Sequence, residues 1–358
     1  MKTLLFNIYF ILLLPGLLLA DNPGWKGRYT KEKKINKEYK VSADALLKIN
    51  NSYGNLYVTS WNQNRVVIEV HIKTNGNNEE KVQRKLDEID VEFTASPGTV
   101  SAITKFENNK WGWSWWKNDN VSMEINYTIK VPVGNSVDLN NDYGSINLDK
   151  INGKAHISCD YGRINLGELN ADNNLLSFDY TSNSTIGFIK SGKISADYSG
   201  YEIEKAGNLE ISADYTSSKI MDAENIHYSC DYGNISIENA RNIEGNGDYL
   251  TTKFGVLHGN IRIRSDYGSI KIDELAADAG NVEIRSDYTG IKIGYNPNYH
   301  FNFSFNLEYA GLRGGEDFDF RIKRENNTDK YYEGHYGSEG KNSVNITADY
   351  GSVSFNRN

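Results

Sequence analysis

Two groups of residues in this sequence could do chemistry: an Asp-Tyr pair that recurs along the chain and a cluster of tryptophans. The pair recurs at steps of 17 to 21 residues, with one longer gap before the last copy. Glu308-Tyr309 is a variant, and Ser52-Tyr53-Gly54 is an early outlier. The pairs end at Tyr143, Tyr161, Tyr180, Tyr198, Tyr215, Tyr232, Tyr249, Tyr267, Tyr288 and Tyr350. Because the spacing is so regular, it indicates a repeated structure before it indicates a site.

The tyrosine and the aspartate of each pair have a structural and a functional interpretation. Period-2 alternation, as in Ile157, Cys159 and Tyr161, places the Tyr with the inward residues. We therefore predict a stacked aromatic ladder at one edge of the core, in preference to an exposed strip that grips a flat ligand. The outward Asp would accept the backbone N–H two residues on, in an Asx-turn. The alternative is a column of cations such as Ca²⁺, but the Gly-rich nonapeptide of calcium-binding β-rolls is absent, so we predict no metal site.

The residue after the Tyr is Gly, Thr or Ser in most pairs. Thr rarely tolerates a positive φ, so we predict that this position needs no left-handed backbone and that Gly serves close packing there. The position two before the Tyr holds mostly small residues, and Cys159 and Cys230 both occupy it. Four repeats separate them, about 19 Å at the usual strand spacing. A disulfide needs much closer Cα atoms, so we predict two buried free thiols.

The tryptophan cluster is the one segment that we nominate as a ligand-binding site. Its members are Trp111, Trp113, Trp115 and Trp116, with polar residues on both sides that indicate a hairpin tip. Tryptophans on a loop can stack on sugars or dock a partner. The same residues could instead fold back as a lid, and the sequence leaves both interpretations open.

Catalytic residues and cofactors are not predicted. The six histidines are scattered, and no nucleophile elbow, HExxH or phosphate loop occurs. The acidic residues recur with the repeat, as residues of a scaffold do. Polysaccharide-degrading β-helices usually have longer coils with protruding loops, so an enzyme is the less favoured interpretation.

The elements that must position these residues are short strands. Each unit alternates apolar residues before the pair and, with the opposite parity, after it, as in Ile164 and Leu166. A third apolar side often follows, and three sides in about eighteen residues describe one turn of a parallel β-helix. We predict an all-β, single-stranded parallel β-helix, right-handed by default, about 50 Å long at roughly 4.8 Å per layer.

The flanking regions depart from the repeat. We predict a polar segment at 21–39, an α+β cap at 40–135 with a first coil and the Trp-rich hairpin, and the solenoid at 136–358. A helix should begin near Asn77, with Val82, Leu86 and Ile89 as its apolar stripe. Such a cap would cover a sheet edge that is otherwise prone to aggregate. The polar, Tyr-rich stretch 325–341 is predicted to be a long loop.

Residues 1–20 have the order of a secretory signal peptide, with Lys2, an apolar run and a small residue, Ala20, before Asp21. No later stretch is apolar enough to cross a bilayer, so we expect an exported protein in the periplasm, at the outer-membrane surface or outside the cell. The formal net charge is −8, and no long basic run occurs. Nucleic acid is therefore excluded as an expected partner.

Three stretches of the chain resemble the bacterial putative-adhesin β-solenoid family, a domain of unknown function in exported proteins of Bacteroidetes-type bacteria. They are the opening INNSYGNLYVTSW, the run INYTIKVPVGNSVDLNNDYGSINLDKINGKAHISCDYG and the ending VNITADYGSVSF. The resemblance implies the fold and supplies no catalytic residues. With it, we expect a binding or scaffolding protein of the envelope whose partner is a glycan or a surface protein. The alternatives are an enzyme acting on polysaccharide and an envelope-stress or assembly factor without its own ligand.

Overall fold

A computed structural model describes residues 25–106 and 120–358, so the predicted signal peptide lies outside the described residues. The described residues form one continuous sheet of 27 strands and a single helix. The predicted all-β class is confirmed. Within these residues no helix combines the length and the apolar character needed to cross a membrane.

The first part of the chain holds seven strands and the helix among its described residues. They are β1 (Tyr29–Lys40), β2 (Leu46–Ser52), β3 (Leu56–Trp61), β4 (Arg65–Gly76), α1 (Glu79–Asp87), β5 (Ile89–Ser96), β6 (Thr99–Phe106) and β7 (Val121–Pro132).

The region in which the Asp-Tyr pairs recur consists of strands that begin or end beside those pairs, and four of them, β13 to β16, have 13 to 15 residues. They are β8 (Ser136–Asp142), β9 (Ser145–Ile151), β10 (Ala155–Asp160), β11 (Arg163–Leu169), β12 (Asn174–Asp179), β13 (Ser184–Asp197), β14 (Gly200–Asp214), β15 (Ser217–Ser229), β16 (Asn234–Asp248), β17 (Thr251–Leu257), β18 (Ile261–Asp266), β19 (Ser269–Leu275), β20 (Val282–Asp287) and β21 (Gly290–Tyr295). The chain ends with β22 (Phe301–Glu308), β23 (Gly311–Arg313), β24 (Asp319–Glu325), β25 (Asp329–Tyr336), β26 (Asn342–Asp349) and β27 (Ser352–Arg357).

Strands of successive repeats pair in parallel. On the amino side of the Asp-Tyr corner β8, β10 and β12 follow each other, and on its carboxyl side β9, β11 and β13 do. The strands β13 to β16 run through both sides and pair with their neighbours in chain order. The register matches equivalent residues, for example Ile157 with Leu176 and Asp160 with Asp179. It therefore aligns the Asp-Tyr pairs of successive repeats in a column.

The last repeat lies out of chain order. The strand β26 pairs in parallel with both β20 and β22, so it lies between them. Tyr350 accordingly stacks between Tyr288 and Tyr309. The sequence series placed Tyr309 directly after Tyr288, and in space that order is wrong. The chain leaves one layer open after β21 and returns from β25 to fill it.

The prediction of a long loop at 325–341 is wrong in part, because this stretch contains a strand. Residues 329–336 form β25, which pairs antiparallel with β22 on one side and with β24 on the other. Tyr332 and Tyr336 are buried. Polar residues alternate with these tyrosines, so a half-buried strand was present in a stretch that reads as polar overall.

The N-terminal part combines antiparallel and parallel pairing around the helix. The strand β4 lies between β1 and β7, both antiparallel, while β2 lies between β6 and β8, both parallel. The helix begins at Asn78, whose side chain accepts a hydrogen bond from the backbone N–H of Lys81. Val82 and Leu86 are buried against the sheet, as predicted, whereas Ile89, the third residue of the predicted stripe, lies outside the helix as the first residue of β5.

The core consists of inward side chains aligned in columns. One column runs through Ile194, Ile211, Tyr228, Gly245 and Ile263 in successive repeats. Cys159 and Cys230 are buried and unpaired, which confirms the prediction of two free thiols. Burial, and then the charge of the adjacent aspartate, raises the pKa of the Cys159 thiol to about 12.

Candidate binding surfaces

Tyrosines of the Asp-Tyr pairs form one unbroken stack, which we call the Tyr column. Neighbouring ring centroids are 4.7–5.2 Å apart and the rings are within 9° of parallel. The predicted ladder is therefore present. The early outlier belongs to it, because Tyr53 stacks on Tyr143 and meets Phe106 edge to face on its other side. The column has twelve rings and is about 50 Å long at roughly 4.8 Å per layer.

The predicted inward position of these rings is wrong. Eleven of the twelve are 48–54% exposed. All twelve tyrosines have a positive φ, between 48° and 65°, and this backbone turn changes the alternation. Asp and Tyr both face outward, and the next residue, for example Thr181 or Leu250, is buried instead.

The left-handed turn falls on the Tyr and not on the residue after it. The prediction that the following residue needs no positive φ is confirmed. Gly in that position serves close packing, since a Cβ on Gly144 would overlap the carbonyl oxygen of Gly54 in the neighbouring repeat. A left-handed residue with a side chain costs about 1–2 kcal/mol. Stacking of about 0.5–1.5 kcal/mol per ring pair is of the right size to offset it.

The aspartates of the pairs form a second line, the Asp column, beside the rings. The Asx-turn prediction is wrong, because six of the carboxylates accept a hydrogen bond from the backbone N–H of the Asp in the neighbouring repeat. The backbone N–H of Asp197 donates to Asp179 Oδ1 (3.0 Å), and that of Asp248 donates to Asp231 Oδ1 (2.7 Å). The in-register parallel stack places the next Asp N–H directly over the carboxylate, which explains the difference. Six such bonds link the column, at Asp160, Asp179, Asp197, Asp214, Asp231 and Asp266.

The carboxylates of the Asp column repel each other. Partial loss of water, and then the charges of the neighbouring aspartates, raises the pKa of Asp248 and of Asp287. Among the described residues no ion pair joins a basic side chain to the column, although the charge of Arg264 acts on Asp248 and Asp287 from nearby. The same described residues hold no group of three or more His, Cys, Asp or Glu side chains placed to bind a metal ion.

A groove of about 1240 Å³ follows another edge of the repeats, and we call it the Asn groove. Eight successive strands each contribute a short segment of two or three residues to it. In the central ones a polar residue, a buried apolar residue and a charged residue follow each other, as in Asn208, Leu209 and Glu210. The polar positions are Asn173, Ser191, Asn208, Asn225, Asn242, Asn260, Asn281 and Ser343.

The amides of the Asn groove are linked to each other along the stack. Asn225 Nδ2 donates to Asn208 Oδ1 (2.6 Å), and Asn242 Nδ2 donates to Asn225 Oδ1 (2.7 Å). Further along, the backbone N–H of Asn260 donates to Asn242 Oδ1 (2.9 Å). Each amide has two donors and two acceptor sites, so the ladder leaves part of this capacity free toward the groove.

The charged side of the Asn groove is close to neutral. Lys193 pairs with Glu210 at 2.7 Å, and Arg262 lies 3.6 Å from Glu244 and 3.3 Å from Glu283. The hydrogen bond from Lys193 holds the pKa of Glu210 below its usual range. The groove therefore presents alternating charges that already satisfy each other, unlike the Asp column.

The sequence reasoning missed the Asn groove, although a signal was available. Each polar position lies seven residues before a corner tyrosine, as Asn242 does before Tyr249 and Asn281 before Tyr288. Aligning the repeats on the Tyr would have shown this second column. The nominated tryptophans, Trp111, Trp113, Trp115 and Trp116, lie outside the described residues, so their role stays a prediction.

Comparison with known proteins finds similar solved structures. No family model and no curated protein matches the chain. A putative cell adhesion protein from Clostridium sporogenes is 12% identical, with 92% of this chain and 100% of that chain covered and a TM-score of 0.20. A putative adhesin from Parabacteroides distasonis is 9% identical, with 74% and 93% covered and a TM-score of 0.28. A putative lipid binding protein from the same species is 11% identical, with 90% and 96% covered and a TM-score of 0.29.

The names of the two adhesion-related structures agree with the family resemblance seen in the sequence. Similarity at this level gives no basis for assigning a function, so the chain's own residues have to supply it.

Proposed function

We propose that this chain is an exported binding or scaffolding protein of the cell envelope, adhesin-like and without catalytic activity. Its repeats would form a parallel β-solenoid over 136–358, with residues 40–135 as the cap of one end. The parallel, in-register pairing of equivalent residues in successive repeats supports this architecture. A stack of that kind presents rigid, straight columns of side chains to a partner.

The Asn groove is the observation that carries the proposal. It repeats a polar position once per strand step over eight strands, with an apolar residue beside it in the five central ones, so it suits an extended ligand with a repeated unit. Amides offer donors and acceptors together, which matches the hydroxyls of a glycan. The strip of Leu209, Ile226 and Ile243 at the base of the groove gives apolar contact of the kind that sugar C–H groups need.

Charge selects among such ligands. Because the ion pairs along the groove already neutralise its acids, neither a polyanion nor a polycation gains much by binding there. We therefore favour a neutral, extended glycan over a charged polymer. The tryptophans of the 107–119 segment are proposed as a second contact with the same class of partner.

A polysaccharide-cleaving enzyme is the rival proposal, and the groove carboxylates argue against it. A general acid in glycoside cleavage needs a carboxyl whose pKa is raised, whereas the hydrogen bond from Lys193 lowers the pKa of Glu210. Glu244 and Glu283 both lie close to Arg262. These carboxyls are arranged as ion pairs of a solvated face, not as a matched acid and base.

A glycan array tests the proposal directly. The mature chain is compared with Asn242→Ala/Asn260→Ala in the groove and with Trp113→Ala/Trp115→Ala in the loop. We expect binding to neutral linear glycans, weakened about thirtyfold by the groove variant through the loss of two hydrogen bonds worth about 1 kcal/mol each. Binding that only the tryptophan variant weakens would move the site to the loop. No glycan binding, or release of reducing sugar from an envelope polysaccharide, would overturn the proposal.

A further inference from the structure

The Tyr column plays no part in the glycan proposal. Its twelve phenol rings extend over about 50 Å at roughly 4.8 Å per layer. A phenol is one of the few side chains that lose a single electron to common oxidants. We propose that the column relays one-electron oxidation, so that an electron vacancy formed on one ring passes from ring to ring and leaves at a distant one.

Electron exchange between two rings falls off steeply with distance, so a relay needs ring contact at every step. The column has eleven steps, with ring centroids 4.7–5.2 Å apart and planes within 9° of parallel. These separations lie at the close end of the range for aromatic pairs. The step from Tyr288 to Tyr350 is as close as the others, at 4.7 Å, because β26 fills the layer beside β20. The relay therefore has no gap.

The rings also have equivalent surroundings. Eleven of them are 48–54% exposed, and all twelve tyrosines have the same left-handed backbone. Among the described residues, no protein atom forms a hydrogen bond with the hydroxyls of the eleven tyrosines from Tyr143 onward, so water is the group that exchanges protons with them. Because each exchange joins two like groups in like surroundings, its free-energy change is close to zero. The vacancy is therefore not held at any one ring.

Each step of the relay balances in electrons and protons. A one-electron oxidant, for example a peroxyl radical, takes an electron from one phenol and a proton by way of water. The oxidant becomes a hydroperoxide, and the phenol becomes a phenoxyl radical. The next ring gives an electron to that radical, which regains a proton from water, while the donor ring releases its own proton to water and becomes the radical. At a distant ring an external donor, such as a free phenol, gives up one electron and one proton and restores the tyrosine.

The aromatic cluster in the C-terminal core differs in each of these respects. Phe301, Phe303 and Phe318 are buried and meet at angles of 36–88°, and phenylalanine has no phenolic proton to release. Tyr299 is buried beside them, and its hydroxyl donates to the carbonyl oxygen of Gly280 (2.6 Å). An external oxidant therefore meets the half-exposed rings of the Tyr column and not these core rings.

Flash photolysis of the folded, mature chain tests the relay. In a Cys159→Ala/Cys230→Ala background, a ruthenium polypyridyl photo-oxidant is attached through Ser352→Cys, an exposed position two residues after Tyr350. Tyr161 is replaced by aminotyrosine, which is oxidised more easily than tyrosine and traps the vacancy. Eight ring steps separate the two positions, about 38 Å at roughly 4.8 Å per layer, which is too far for direct transfer. We expect the aminotyrosyl radical to appear after the flash, by absorbance and electron paramagnetic resonance, at a rate independent of protein concentration.

One ring in the middle of the column provides the decisive variant. Tyr232→Phe keeps the stack but places there a ring that is much harder to oxidise. It should slow the appearance of the radical more than about tenfold, because the electron then crosses two layers, about 9.6 Å. The matched control is Tyr228→Phe, which changes a buried tyrosine of the same repeat and should leave the rate unchanged. Circular dichroism and thermal melting establish that each variant is folded.

Four results would each overturn the relay: no radical in the unbroken column, an unchanged rate in Tyr232→Phe, an equal loss in Tyr228→Phe, or a rate that rises with protein concentration. Each of them would leave the glycan proposal intact, because none of these changes lies in the Asn groove. Loss of glycan binding would in turn leave the relay intact.

Discussion

The Tyr column and the Asn groove lie at two edges of the same repeats, seven residues apart in each. Different interactions hold the side chains of successive repeats together at the two edges. The tyrosines accept a strained backbone and interact through ring stacking. The groove asparagines interact through side-chain hydrogen bonds, and among them only Asn173 has a positive φ. Among the described residues, the carboxylates beside the rings form no direct ion pair, whereas those in the groove do. One fixed layer spacing therefore supports two chemically different surfaces. The residue type that recurs at each edge determines whether that surface is aromatic or lined by amides.

Both edges depend on the layer spacing of the shared core. Among the predicted effects, we expect the largest from a substitution of Gly245, which changes that spacing. Its Cα lies against the Tyr228 ring of the preceding repeat, and a Cβ there would overlap the ring. We expect Gly245→Ala to lower the free energy of unfolding by about 2–3 kcal/mol through overpacking, measured by urea denaturation.

A second change identifies the cause of that loss. Tyr228→Ile in the Gly245→Ala background continues the isoleucine column and should recover most of the stability. If Gly245→Ala were as stable as the unchanged chain, or if Tyr228→Ile recovered nothing, the packing account would be wrong.

Substitutions by alanine and by glycine should differ in opposite directions at the two edges: alanine should cost more stability than glycine at the Tyr column, and less than glycine at the Asn groove. Tyr232→Ala loses two stacking contacts and keeps the strained turn, so it should cost about 2 kcal/mol. Tyr232→Gly loses the same contacts but relaxes the turn, and should cost about 1 kcal/mol less than alanine. Asn242→Ala should cost about 1–2 kcal/mol in lost hydrogen bonds, and Asn242→Gly about 0.5–1 kcal/mol more than that.

Thermal or urea unfolding of the four variants gives the comparison. Tyr232→Phe is the control at the Tyr column, because it retains the stack and should be close to neutral. The same rank order at both positions would mean that the left-handed turn at the tyrosine is not a source of strain.

The repeat could be predicted because its signals are local in the chain. Period-2 alternation and a fixed step identify the strands, the stacked tyrosines and the buried thiols from the residues alone. The facing of the Tyr could not be obtained this way. The alternation of inward and outward side chains assumes an extended backbone, and one left-handed residue reverses that alternation. The residue types Asp-Tyr do not distinguish a left-handed corner from an extended one. Tyrosine is also a residue for which that conformation is least expected.

Features that depend on the neighbouring repeat were also beyond the sequence. The Asx-turn prediction considered partners within one corner, whereas the donor to six of the carboxylates comes from the next layer, as it does for Asp197 and Asp214. The insertion of β26 between β20 and β22 is a long-range pairing, since Tyr350 follows Tyr309 by 41 positions. The Asn groove could have been predicted, because each of its polar residues lies seven positions before a corner Tyr. The Asp-Tyr pair alone does not contain this signal.

Stability should depend on pH with opposite sign at the two edges. Asp248 has a raised pKa in the folded state, so its unfavourable contribution is absent below its unfolded pKa and appears as the pH rises through the folded value. Glu210 has a lowered pKa, so its favourable contribution is present above its unfolded pKa and is lost as the pH falls through the folded value.

Urea midpoints of two charge-removing variants at pH 7 and pH 3 separate these contributions. Asp248→Asn should raise the midpoint at pH 7 and change little at pH 3, because the aspartate is then already neutral. Glu210→Gln should lower the midpoint at pH 7 and have a smaller effect at pH 3. The effects should be small, since both groups are largely exposed and water screens their interactions. Shifts of the same sign at pH 7 would contradict the contrast between an edge of mutually repelling carboxylates and an edge of ion pairs.

The smallest effect is expected just inside the Tyr column, at the two cysteines. Ala196 and Ala213 occupy the equivalent inward position in other repeats and are buried there. Cys230→Ala should therefore change the free energy of unfolding by less than about 1 kcal/mol. Burial raises the pKa of the Cys230 thiol to about 12, so neither cysteine should react with a thiol reagent at pH 8 until urea unfolds the chain. Reaction of the native protein at the rate of a free thiol would place these side chains outside the core and would require a different register at this edge.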